Sequence, residues 1–244
     1  MAEQMNEHEI LVKIASFKHL HIPEGAFVWS WFKRYYLEDQ ERRKLLSNQP
    51  ALDFQSFKKT IKATTRPTKY FPTFVRNNKR KIRDWIHEFY VYYNYTLAAD
   101  VPFDIQDSTY GLGIVSRNPA ATSKDLLWGI IYYVSDETAE TLIEMKYPSL
   151  YGKGLDTAIV CGPISLLNHS CGSPFGFSLP TKKYPNEELE VFFGGCDMIL
   201  IKNFDRRFLQ AGQEITVKYC KKRDLKFECR CYWCLKCVES DCNN

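Results

Sequence analysis

Four short segments of this 244-residue chain carry side chains whose types and spacing can do chemistry. Tyr110-Gly111-Leu112-Gly113 sets two glycines just ahead of an apolar run, and without a Cβ the backbone can lie close against a ligand. The segment lacks the third glycine and following helix of a dinucleotide fingerprint, and the chain has no P-loop, so both of those phosphate cradles are excluded. Leu166-Leu167-Asn168-His169-Ser170-Cys171 ends an apolar run on an amide, an imidazole, a hydroxyl and a thiol. Alone it reads most simply as a polar turn with a satisfied histidine. A Ser/His/Asp or Cys/His nucleophile system is conceivable, although no G-x-S-x-G elbow accompanies it. Cys229-x-Cys231-x-x-Cys234 offers three soft ligands, where a closed tetrahedral zinc site wants four; Cys237 or a distant thiol such as Cys171 could complete it. Gly212 to Tyr219 is a turn and a strand ending on a tyrosine, which by itself signals only packing.

These segments need elements to hold them. Apolar side chains recur at helical spacing through Ile10, Ile14, Phe17 and Leu20, through Phe27 to Tyr35, and through Ile82, Ile86, Phe89, Tyr93 and Leu97. Asp53 is placed to cap a further helix bearing Phe54, Phe57 and Ile61. From about Val101 short apolar runs take over, and they predict strands at Gly113–Val115, Leu126–Val134, Leu189–Phe193, Met198–Ile201 and Glu214–Tyr219. One helix, Asp136–Met145, interrupts them, with Leu142 and Ile143 as its buried positions. The expected class is α+β: an N-terminal helical module over 1–104, a β-rich catalytic core over 105–225, and a cysteine-rich tail over 226–244.

Composition narrows the classes. Hydrophobic residues at 45% and charged residues at 25% match globular usage and exclude disordered and collagen-like chains. Aromatic residues at 15% predict aromatic pockets. The longest apolar run, Leu126 to Val134, is far short of a membrane span, so no membrane partner is expected. The polar, acidic start is unlike a secretory signal. An odd count of nine cysteines argues against a disulfide framework, and the C-x-C-x-x-C cluster points to metal. Between Phe54 and Arg83 stand ten Lys or Arg and no acid, a stretch that suits phosphate contact or a solvated face equally.

In this order the four segments resemble the SET domain of protein lysine methyltransferases over about residues 105 to 237. The detail is most similar to the suppressor-of-variegation branch that acts on the histone H4 tail. Its C-x-C-Y-x-C post-SET tail is matched by Cys229, Cys231, Tyr232 and Cys234, and its L-L-x-G strand by Leu126-Leu127-Trp128-Gly129. The resemblance implies small β-sheets with a knot-like crossing and S-adenosylmethionine as methyl donor. It places Tyr110, Gly111, Leu112 and Gly113, the pair Asn168 and His169, and Tyr232 against the cofactor. Tyr219 takes the place beside the transferring methyl, and Cys171 joins Cys229, Cys231 and Cys234 around one structural zinc. The implied partner is a histone tail or nucleosome in the nucleus, with DNA-backbone contact through 58–83. A methyltransferase of a non-histone protein and a catalytically silent, zinc-stabilised chromatin adaptor are the alternatives. The stretch Pro180 to Gly195 is an insertion relative to the family pattern.

Overall fold

A computed structural model of the protein describes residues 5–47, 49–64, 79–108, 111–117, 127–152, 157–203 and 210–219. Helix α1 (Glu7–Ala15) opens on a capping box: Asn6 Oδ1 accepts from the Glu9 amide, and Glu9 Oε2 from the Asn6 amide, both at 3.1 Å. Helix α2 (Glu24–Phe32) continues into a wider π turn over Lys33–Leu37, and α3 (Gln40–Ser47) follows. Helix α4 (Phe54–Thr64) starts where Asp53 was expected to cap it, with Asp53 Oδ1 accepting from the Ser56 amide at 2.8 Å. Helix α5 (Lys79–Thr96) is the long amphipathic one. One spacing argument ran too far. Helix α1 stops at Ala15, so Phe17 lies beyond it and is 41% exposed.

The strands are β1 (Phe103–Ser108), β2 (Gly111–Ser116), β3 (Trp128–Tyr133), β4 (Leu150–Tyr151), β5 (Ala158–Cys161), β6 (Asn168–His169), β7 (Phe175–Phe177), β8 (Asp197–Asn203) and β9 (Glu214–Val217). They form a four-stranded sheet in the order β1-β2-β9-β6 and a five-stranded sheet in the order β4-β5-β3-β8-β7. Helix α6 (Asp136–Glu144) follows β3, capped by Ser135, and buries Leu142 while Ile143 stands outward at 43% exposure. The neighbouring positions point about 100° apart on a helix, so only one of the two can face the core.

The predicted strand over Leu189–Phe193 is instead helix α7 (Glu187–Phe193). Asn186 caps it by accepting from the Leu189 amide at 3.0 Å, and three glutamates sit in the first turn, where the amide end of the helix favours negative charge. Leu189 and Phe193, four residues apart, are buried, while Val191 is exposed. The run is mostly apolar, broken by Glu190, and its buried positions follow the helical period.

Most of the described aromatic residues sit in one core shared by helices and sheets. Trp31 stacks on Phe89 at 4.8 Å and 9°, Trp29 meets Tyr92 edge-on at 4.8 Å, and Tyr92 and Phe193 both pack on Trp128 of β3. Such pairs add roughly 0.5–1.5 kcal/mol each beyond their burial. No helix among the described residues is long and apolar enough to cross a membrane.

Two titratable groups in this helical layer act in opposite senses. Glu88 has one carboxylate oxygen buried without a hydrogen-bond partner among the described residues. Burial, with Glu24 and Asp84 nearby, pushes its pKa from 4.5 up to about 7. Burial drives His8 from 6.5 down to about 4. Between pH 4.5 and 7 the folded protein keeps a proton on Glu88 that the unfolded chain has released, so this group makes stability fall as pH rises. Between pH 4 and 6.5 the unfolded chain holds a proton that folded His8 refuses, so His8 makes stability rise with pH. The slopes offset each other. Urea denaturation across this range should show His8→Gln losing stability towards neutral pH and Glu88→Gln gaining it, by on the order of 2–3 kcal/mol. Parallel curves for the two variants would refute the opposition.

Candidate functional site

Strand β9 is the hub that collects the chemical segments. It runs antiparallel to β2 through Ile114↔Ile215 and Val115↔Glu214, and parallel to β6 through Asn168↔Thr216 and His169↔Val217. Three stretches far apart in sequence therefore lie side by side. Strand β6 is delivered by the 3-10 turn Pro163–Leu166, which begins after Gly162. That glycine has a φ of 91°, and a side chain on it would strike Trp128 at 2.8 Å.

Asn168 ties the hub together. Its Nδ2 donates to Glu214 Oε1 at 2.7 Å, Ser108 Oγ at 2.9 Å and the Leu112 carbonyl at 3.4 Å. Gly113 must be small, since a Cβ there would lie 2.7 Å from Glu214 Oε1 and 3.1 Å from Asn168 Nδ2. With its amino group committed, Asn168 can offer a ligand only its amide oxygen, an acceptor suited to an ammonium group. Gly111 and Leu112 run beside this point along β2.

Beyond β6 the chain loops over the end of β9. The Ser170 amide donates to the Val217 carbonyl at 3.0 Å, Ser173 Oγ to the Thr216 carbonyl at 2.6 Å, and the Lys218 amide to the Phe175 carbonyl at 2.8 Å. Tyr219 emerges between the two arms of that loop. Its ring lies 5.2 Å from the His169 ring and stacks at 5.9 Å and 20° on Phe177. Its hydroxyl turns inward and donates to the Leu167 carbonyl at 2.5 Å, although the residue as a whole is 42% exposed. Burial pushes the phenol up to about 12, so it stays neutral, and towards any further group its oxygen can only accept.

His169 is oriented at both ring nitrogens. Nδ1 accepts from the Tyr219 amide at 3.1 Å, which leaves the ring proton on Nε2, 3.1 Å from Cys171 Sγ. Burial, then the Lys218 charge, lowers its pKa and keeps it neutral. This arrangement disposes of the Cys/His nucleophile alternative. An imidazolium–thiolate pair needs a proton on both nitrogens, and the Tyr219 amide occupies Nδ1. Any contact of His169 with a bound ligand has to come through its main chain. A sulfur that receives an imidazole N–H is, conversely, well placed to carry the negative charge of a metal-bound thiolate.

Of the residues singled out in the sequence, Gly111, Leu112, Gly113, Asn168, His169, Cys171 and Tyr219 all gather around β9. Tyr110, Cys229, Cys231, Tyr232, Cys234 and Cys237 lie outside the described residues. Among the described residues no three metal-capable side chains converge. Three participants went unrecognised in the sequence: Ser108 and Glu214, which hold Asn168, and Phe177, which faces Tyr219. A Phe-Gly-Phe alternation between two prolines was the available signal for Phe177.

No protein-family model and no curated protein matches the chain. Among solved structures, that of a candidate histone methyltransferase from Plasmodium falciparum is similar at 16% identity, covering 49% of this chain and 94% of that one, with a TM-score of 0.36. What the chain does has to be read from its own residues.

Proposed function

We propose that this chain is an S-adenosylmethionine-dependent protein lysine N-methyltransferase with a SET-type core, acting on a histone tail, with histone H4 favoured. The observation that carries the reading is the gathering of Gly111–Gly113 on β2, Asn168 on β6 and Tyr219, just past the end of β9, around that one strand. The backbone of Gly111 to Gly113, the Asn168 amide oxygen and the His169 main chain would hold the cofactor, with Tyr110 and Tyr232 as further contacts. The cofactor, when bound, supplies an electrophilic methyl group.

The protein's own residues prepare the acceptor. A lysine amine has to be neutral to attack, and the apolar ring faces of Tyr219 and Phe177 would disfavour its charged form by desolvation. Tyr219 is too weak an acid at about 12 to hold a stored negative charge, so its part is to orient the amine by accepting from it. Alignment of acceptor and donor supplies much of the rate in such a displacement.

The finer parts belong to the same proposal. Cys171, Cys229, Cys231 and Cys234 would hold one structural zinc and tie the tail onto the core, and the loop over β9 is where a knot-like crossing would form. The division into 1–104, 105–225 and 226–244, contact of 58–83 with nucleosomal DNA, and a place in the nucleus complete the reading. Transfer of label from S-adenosylmethionine onto lysines of histones, nucleosomes and free proteins tests it. Labelled lysine in histone H4 is expected. Absence of transfer to every protein on the panel, with no cofactor binding by calorimetry, would sink it.

A further inference from the structure

A groove of about 430 Å³ lies away from β9, between helix α3 and strand β1. Its lining includes Asp104 and Gln106, which point to one face of β1, and also Ile105 and Asp107, which point to the other. A cavity lined by both faces of a strand sits off its edge. Strand β1 is the outermost strand of its sheet, and among the described residues that edge carries no neighbouring strand.

The register shows which peptide groups face the groove. The Arg117 amide donates to the Pro102 carbonyl, while both main-chain groups of Ser116 turn towards Gln213 and Gly212 on the far side of β2. Counting along the ladder, Asp104 and Gln106 bond to β2, and the amides and carbonyls of Ile105 and Asp107 point outward. These outward groups have no main-chain partner among the described residues.

The groove has firm ends and a basic wall. At one end Arg43, almost fully buried, holds Asp107 at 3.0 Å and the Leu37 carbonyl at 2.7 Å. At the other Arg117 holds Asp104 at 2.6 Å and the Val101 carbonyl at 2.8 Å. Those charges are matched. Lys44 on the α3 wall is exposed and makes no ion pair among the described residues, though its charge acts on Asp107; with Arg43, Lys44 and Arg117 against Asp104 and Asp107, the lining carries a net charge of +1.

We infer that this groove is a docking site for an extended, acidic peptide segment of a partner protein, which adds to β1 as a short extra strand. The partner's main chain pairs with Ile105 and Asp107 over about 10 Å, roughly three residues, and one of its carboxylates meets Lys44. The helix opposite an open strand edge limits the occupant to a single strand. This surface does not depend on the methyl-transfer reading.

The probe is an acetylated, amidated pentapeptide of alternating glutamate and valine, with a lysine–valine version as control. Amide hydrogen exchange on the full chain is expected to slow at least tenfold at Ile105 and Asp107 with the glutamate peptide, and not with the lysine peptide. Lys44→Glu, an exposed change, should weaken the glutamate peptide at least tenfold and admit the lysine peptide. No added protection at Ile105 and Asp107 at millimolar peptide overturns the proposal, as does equal binding of the two peptides to wild type. Protection of these amides in a peptide-free dimer would assign the edge to a second copy of the chain and overturn it as well.

Discussion

Tyr219→Phe is expected to lower methyl transfer about a hundredfold while leaving affinity for S-adenosylmethionine within about twofold. The substitution removes one oxygen. The ring survives, and with it the stack on Phe177 and the contact with His169, so the local packing is kept. What goes is the hydroxyl's anchor on the Leu167 carbonyl and, under the proposed function, the acceptor that would align the amine. Loss of a single oriented polar contact to a reacting group costs on the order of 10²–10³ in turnover, and the estimate takes the lower end. Single-turnover transfer to an H4 peptide, with calorimetric titration of the cofactor, separates the two effects. Wild-type turnover in the variant would remove Tyr219 from the mechanism.

The second large effect concerns Cys171. If this thiolate closes the zinc shell with Cys229, Cys231 and Cys234, then Cys171→Ser should lose the bound zinc. It should also weaken the cofactor at least tenfold, because the same turn carries Asn168 and His169. Cys237→Ser should retain both. Zinc content by elemental analysis, read beside cofactor affinity, decides between the two thiols. Full zinc in the Cys171 variant with none in the Cys237 variant would make the tail a self-contained knuckle and leave the core pocket independent of metal.

Much of this molecule could be read before folding. The helices announced themselves because buried positions recur at a period only a helix satisfies, and Asp53 marked a start because its carboxylate can answer an amide three residues on. The site segments stood out only as an ordered set, since a glycine pair or an Asn-His-Ser-Cys turn taken alone reads as an ordinary turn. The partners of those segments were illegible. Nothing local links Glu214 to Asn168, since the bond depends on the parallel pairing of β6 with β9. Phe177 reaches Tyr219 only through the loop that crosses the end of β9. Helix α7 failed for a different reason. Its short stretch from Leu189 to Phe193 is too brief for periodicity to discriminate, and the Asn186 cap and acidic first turn carried the information instead.

The central position of β9 also bears on how the molecule comes to be folded. Its pairing with β2 joins residues roughly a hundred positions apart, and closing a loop of that length costs entropy before the strand returns any contact. Long-range pairing of this kind slows folding. On a ribosome the helical layer and β1 to β8 emerge first, so the nascent chain can bury most of its aromatic core while it still lacks the strand that joins Gly113, Asn168 and Tyr219. The grouping around β9 is thus completed late, and a chain stalled before β9 lacks the strand that brings these residues together.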